Sequence, residues 1–125
     1  MGILGSILAA RQGSGFSSRF KDIYRQIIGS YPPDSAVSAI QRSVTIIHSH
    51  VGGGRSAEAY GAEKLSKAID EYACAVGYDE EKCQFGLYSL LTECMKNPQK
   101  VARGYSWAAD TIYEGLARYC PSFLD

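Results

Sequence analysis

The sequence lacks any apolar run long enough to cross a lipid bilayer, which takes about 18 to 20 residues. The longest candidate runs from Ile3 to Ala10, contains Gly5 and Ser6, and ends at Arg11. This segment also has neither the basic start nor the length of a secretory signal peptide. We therefore expect an intracellular protein that is at most peripheral at a membrane.

The residue patterns of a metal centre are missing as well. No Cys-x-x-Cys pair occurs among the four cysteines, and His48 and His50 lie two residues apart, which separates them by about 200° on a helix. We expect neither a metal ion nor a cofactor. An even number of cysteines in a small chain can indicate disulfides, but without a secretory signal we expect reduced thiols, with Cys83 and Cys94 buried as small apolar side chains.

No catalytic motif is recognisable, and we assign no catalytic residue. The glycine-rich stretch HVGGGRSAEAY places Gly53, Gly54, Arg55 and Ser56 at the start of a helix, where free amides and a cation form a candidate anion site. The alternative is a flexible link with Ser56 as helix cap, which is favoured because no Gly-Lys-Ser/Thr and no preceding strand occur. The sequence favours a non-enzymatic protein, with a small enzyme or ligand-binding bundle as an alternative.

The chain has no net charge, but its charges are unevenly distributed. Residues 1–55 carry six basic and two acidic side chains, a net charge of +4, and residues 56–125 carry seven basic and eleven acidic ones, a net charge of −4. There is no dense run of Lys and Arg, so we do not expect a nucleic-acid partner. Opposite charges on the two halves could instead join copies head to tail in a self-assembling structural subunit.

Hydrophobic periodicity predicts helices throughout. Apolar residues recur every three or four positions in five segments, which is the spacing of one helix face, and the segments start near Phe16, Val37, Tyr60, Cys83 and Val101. The β-branched stretch SVTIIHSHV is the best competing strand, and it has no convincing partner. We predict an all-α, single-domain bundle of about five helices over 16–125, preceded by an apolar, flexible N-terminal arm over 1–15.

Polar residues at the predicted helix starts indicate where the helices begin. Asp79 precedes two more acidic residues and is the expected cap of the fourth helix. Asp34 or Ser35 is expected to cap the second helix, and Asn97 the fifth.

The first six residues, MGILGS, fit the pattern for N-terminal myristoylation, with Gly2 as the acylated residue. An apolar helical face follows, formed by Ile3, Leu4, Ile7 and Leu8. A myristoyl chain alone gives only marginal membrane binding, so a second signal is needed. The basic residues that could supply it are Arg11, Arg19, Lys21 and Arg25.

These features predict a binding or adaptor module that is attached through its N-terminal arm to an anionic membrane surface or to a protein partner. The organisation is loosely similar to that of retroviral matrix proteins, which pair an acylated glycine with basic residues on a small helical domain, although no motif of that family is matched residue by residue. A self-assembling, matrix-like subunit is the alternative. Trp107 lies about 200° from Tyr105 on the fifth helix and is therefore either a partner contact or a second buried face.

Overall fold

The computed structural model describes residues 3–51, 54–96 and 104–123, with side chains for 15–51, 54–96 and 104–122. It confirms the all-α prediction with five helices. They are α1 (Ile3–Ile28), α2 (Asp34–Ser49), α3 (Gly54–Ala75), α4 (Glu80–Met95) and α5 (Ser106–Tyr119), and a short 3₁₀ turn follows at Pro121–Phe123. The described ranges contain no strand, and the stretch that competed as a strand forms the second half of α2.

The bundle is organised around α2, which packs against α1, α3 and α4, while α5 covers α3 and α4 from the other side. A single apolar core joins these helices. Its largest fully buried aliphatic side chains are Ile40, Val44, Ile47, Leu65, Ile69, Leu87, Leu90, Ile112 and Leu116.

Helix α1 differs from the prediction at its start. It continues without a break from Ile3, so residues 3–15 of the expected arm form the first part of α1. Glycine inside a helix costs only about 1 kcal/mol, and the Ala, Arg and Gln residues just before Gly13 favour a helix. Gly2 lies outside the described residues, as do the side chains of Ile3, Leu4, Ile7, Leu8 and Arg11.

The second half of α1 buries a narrower stripe than its spacing predicts. Phe16, Phe20 and Tyr24 are buried, whereas Ile23 and Ile27 are 46% and 59% exposed. The reason is that α1 lies at the edge of the bundle, where it packs mainly against α2 and only touches α4. One helix neighbour covers less of the circumference than two.

The helix starts correct one capping prediction and confirm another. The backbone N–H of Lys82 donates to Asp79 Oδ1 at 3.0 Å, so Asp79 caps α4 as predicted. Helix α2 has Pro33 at its cap position and no side-chain cap, which makes the expectation for Asp34 or Ser35 wrong. Pro33 has an extended backbone and the helix begins at the next residue, so Asp34 lies inside the first turn and not at the cap position. Asn97 lies outside the described residues.

The side chain of Tyr72 on α3 lies directly against the backbone of α4 at Gly86. A Cβ atom there would overlap Cε2 and Cζ of the Tyr72 ring and lie 2.6 Å from its hydroxyl oxygen. The ring is almost fully buried, and its hydroxyl donates to the carbonyl oxygen of Lys82 at 2.6 Å. Burial raises the pKa of Tyr72, so the hydroxyl stays protonated and keeps this hydrogen bond.

Candidate functional site

The exposed surface of α1 carries three of the four predicted basic residues. Arg19, Lys21 and Arg25 are all exposed, and Asp22 is the exposed acidic residue between them, which leaves this stretch with a net charge of +2. Arg25 donates from Nη1 to the hydroxyl of Tyr31 at 3.0 Å, and its guanidinium lies 4.9 Å from the centre of the Tyr31 ring. This contact holds an exposed aromatic side chain next to an exposed cation.

Because α1 is continuous, helix geometry determines which residues at its two ends lie on the same side of the helix. Eighteen residues of an α-helix make about five full turns, so positions 18 apart point in the same direction. Position 3 therefore aligns with Lys21, and position 7 aligns with Arg25. We call this side of α1, defined by positions 3, 7, 21 and 25, the outward face. The sequence places apolar residues at its first two positions and basic residues at its last two.

A groove of about 260 Å³ runs between α1 and α4. Its apolar wall consists of Phe16, Phe20, Ile23 and Phe85. Arg19, Glu93 and Lys96 add charged groups to its lining. The carboxylate of Glu93 belongs to both this groove and a buried polar cluster behind it.

That polar cluster joins α2, α4 and the residue before α5. His48 Nδ1 lies 2.8 Å from the hydroxyl oxygen of Tyr105, and His48 Nε2 lies 3.6 Å from Glu93 Oε1. The side chains of His48 and Glu93 are each only 10% exposed, and Lys96 Nζ is 3.3 Å from Glu93 Oε2. The neighbouring His48 imidazole and Lys96 ammonium hold the pKa of Glu93 below its usual value, against the opposing effect of burial.

The cluster ties elements together rather than presenting a reactive group. Tyr105 is 4% exposed, and burial raises the pKa of its hydroxyl, which makes it a poor nucleophile. The sequence analysis considered His48 only as a metal ligand and did not link it to Glu93 or Tyr105. No local signal could have done so, because these residues are 45 and 57 positions from His48.

The glycine-rich stretch is only partly described. Helix α3 starts at Gly54, whose φ of +82° lies in the left-handed region that glycine adopts without strain. Arg55 and Ser56 are exposed in the first turn, so Ser56 is not the cap residue. Gly53 lies outside the described residues, and the anion site there stays a prediction.

Trp107 is buried, with 9% of its surface exposed, and it lies on α5 where that helix meets α3. This supports the alternative in which Trp107 belongs to a second buried face of the helix. Helix α5 packs against two neighbours and so buries about half of its circumference. The buried residues of α5 are Trp107, Ala108, Thr111, Ile112, Gly115 and Leu116.

All four cysteines are unpaired, and the predicted burial of Cys83 and Cys94 is confirmed. Cys120 is also buried, whereas Cys74 is exposed. Burial raises the pKa of Cys83 and of Cys120 to about 11 and that of Cys94 to about 12. The thiolate is the reactive form, so these three thiols are inert near neutral pH.

We expect one fast-reacting thiol in the folded protein. Iodoacetamide near neutral pH should add a single carbamidomethyl group at Cys74, and all four cysteines should react after unfolding without reductant. Intact-mass spectrometry followed by peptide mapping measures both. The Cys74→Ser variant is the control and should remain unmodified when folded, whereas a disulfide between any two cysteines would contradict the prediction.

Two further findings concern metals and membranes. Among the residues that the structure describes, no three His, Cys, Asp or Glu side chains are grouped so that they could hold a metal ion. Within the same ranges, no helix combines the length and the apolar character needed to cross a membrane.

Comparison of the chain with models of protein families, with curated proteins and with solved structures gives no match.

Proposed function

We propose that the protein is a non-enzymatic binding module that attaches to an anionic membrane surface through the outward face of α1. The observation that carries this proposal is the continuity of α1 from Ile3 to Ile28. One continuous helix aligns the apolar positions 3 and 7 with the exposed cations Lys21 and Arg25. A helix with apolar and basic residues on one side can lie along a membrane interface.

The length of α1 also supports this proposal. Helix α1 has 26 residues and α2 has 16, and residues 29–33 join them. A link this short makes the two helices antiparallel neighbours, so α1 extends beyond the end of α2 by about 15 Å. The first turns of α1 are therefore set apart from the helix that packs along its second half.

Stable membrane binding requires both an acyl chain and the basic residues. A myristoyl chain on Gly2 would give a binding constant of about 10⁴ M⁻¹, and each basic residue near an anionic surface adds about 1 kcal/mol. Tyr31, held against Arg25, adds an aromatic ring of the kind that favours the membrane interface. Neither the acyl chain nor the cations would give stable attachment alone.

Vesicle co-sedimentation tests the electrostatic part. Protein that is acylated at Gly2 should bind phosphatidylcholine vesicles that contain ~30% phosphatidylserine and should dissociate as salt is raised. The double variant Lys21→Gln with Arg25→Gln should bind about 30-fold more weakly, from about 1 kcal/mol for each charge. Adding Arg19→Gln should have a smaller effect, because position 19 lies about 120° or more around the helix from positions 21 and 25.

The matched control is Lys82→Gln with Arg118→Gln, which removes the same charge from α4 and α5 and should leave binding unchanged. The Gly2→Ala variant, which cannot be acylated, should bind more weakly than the acylated native protein. An equal loss in the control variant would show a general charge effect and contradict the role of α1. If neither the unacylated nor the native protein binds anionic vesicles, the membrane proposal is wrong, and the outward face should be tested as a protein interface.

A further inference from the structure

A second surface, on the far side of α2 from the core, has the features of a ligand site. Helices α2 and α3 enclose a groove of about 600 Å³, which is within the usual size range of small-molecule sites. Its charged lining consists of Arg42, Lys64, Lys67 and Glu71. Ile46, half-buried, and Ala68, buried, supply apolar surface between these charges.

The charges in this groove are unbalanced. Arg42 of α2 forms an ion pair with Glu71 of α3 across the groove. Lys64 Nζ lies 4.6 Å from the centre of the Tyr60 ring. Within the described ranges, neither Lys64 nor Lys67 has a carboxylate within 4.0 Å. The groove therefore carries a net charge of +2 and has two lysines without an acidic partner.

Lys64 and Lys67 lie three residues apart on α3 and line the same groove. Residues three apart on a helix are neighbours on one face, with about 5–6 Å between their Cβ atoms. An anion bound in the groove can therefore be contacted by both side chains. Arg42 lines the same groove from α2 and can contribute a third cation, since its ion pair with Glu71 is half-exposed and exposed pairs of this kind contribute little energy.

We propose that this groove binds an organic phosphate monoester, with the phosphate group between Lys64, Lys67 and Arg42. A phosphate monoester carries a charge of about −1.5 to −2 near neutral pH, which matches the charge of the groove. The groove is larger than a phosphate ion, and its apolar surface at Ile46 and Ala68 suits the organic part of such a ligand. This site is separate from the outward face of α1 and does not depend on membrane attachment.

Titration with inorganic phosphate tests the anion site in the full chain without membranes. Backbone amide signals of residues 64–68 and of α2 near residue 42 should shift in a saturable way in two-dimensional NMR spectra. Sodium chloride at equal ionic strength should not produce these shifts. Lys64→Gln with Lys67→Gln should weaken the phosphate affinity by about tenfold or more, since each charge-assisted hydrogen bond contributes strongly to binding.

The control variant Lys21→Gln with Arg25→Gln should keep the full phosphate response, which separates this proposal from the one for α1. If the shifts also occur with chloride, or if the lysine variant binds phosphate as well as the native chain, the groove is not a phosphate site. Circular dichroism should show that both variants melt as the native chain does, because all four side chains are exposed.

Two sources of the phosphate group can then be distinguished. If the ligand is soluble, glycerol 3-phosphate should bind more tightly than inorganic phosphate. The lysine variant should lose this gain in affinity. If the ligand is a lipid headgroup, the lysine variant should lose affinity for phosphatidylcholine vesicles that contain phosphatidic acid, which has a phosphate monoester. It should lose less affinity for vesicles that contain phosphatidylglycerol, which has a phosphate diester. If neither glycerol 3-phosphate nor phosphatidic acid vesicles give the expected result, and inorganic phosphate gives no saturable shifts, the proposal is wrong.

Discussion

Replacing Trp107 by alanine is expected to lower the free energy of unfolding by about 3–5 kcal/mol, as removal of a large buried aromatic side chain does. Trp107 is 9% exposed, and its ring lies edge-on to His50 with 6.4 Å between the ring centres. A Cβ atom on Gly61 would lie 2.9 Å from Cη2 of the indole, so the ring is packed directly against the α3 backbone. Chemical denaturation with circular dichroism measures the change.

The control for this prediction is Tyr113→Ala on the same helix. Tyr113 is 50% exposed, so its removal should change the free energy of unfolding by less than about 1 kcal/mol. If Trp107→Ala unfolds at the same denaturant concentration as the native protein, the indole is not part of the core. The interpretation of Trp107 as a partner contact would then replace the core interpretation.

Gly86→Ala is expected to destabilise the protein by about 2 kcal/mol, although alanine is the better helix former. The new methyl group would overlap the Tyr72 ring. The ring cannot move aside freely, because its hydroxyl is bonded to the Lys82 carbonyl and Phe20 packs against it edge-on. The steric cost should therefore exceed the gain in helix propensity.

Gly15→Ala provides the matched control, since it is the same substitution inside a helix. A Cβ atom at Gly15 would contact only the flexible end of Arg19, at 3.8 Å. This variant should be more stable than the native protein by up to about 1 kcal/mol. Thermal or chemical unfolding of both variants measures the difference, and a stabilising Gly86→Ala would contradict the close approach of α3 and α4.

The helices could be predicted from the sequence because apolar periodicity is a local signal. The spacing of apolar residues in α2, α3 and α4 continues over several turns, and Asp79 marks one start. How much of each helix is buried could not be predicted, because it depends on the number of neighbours. Helix α1 has one main neighbour and leaves Ile23 exposed, whereas α5 has two and buries Trp107.

In the candidate sites too, only residues that lie close together in the sequence could be grouped in advance. The basic residues of α1 could be found because they lie close together in the sequence. The contact of His48 with Glu93 and Tyr105, and the groove that brings Arg42 near Lys64, join residues from different helices. Side chains that meet only through tertiary packing leave no spacing pattern in the sequence. The continuity of α1 could not be predicted for a different reason, because Gly13 and Gly15 lower the helix propensity of this stretch without preventing a helix.

The central claim is that the outward face of α1 is the surface that meets the membrane, and NMR relaxation with spin-labelled lipid tests it most directly. Lipid bilayer discs that contain phosphatidylserine and a nitroxide-labelled lipid broaden the amide signals of residues close to the bilayer. We predict strong broadening at positions 3, 7, 21 and 25, and little at α3, α4 and α5. Uniformly sharp signals, or broadening centred on α3 or α5 with α1 unaffected, would contradict the claim.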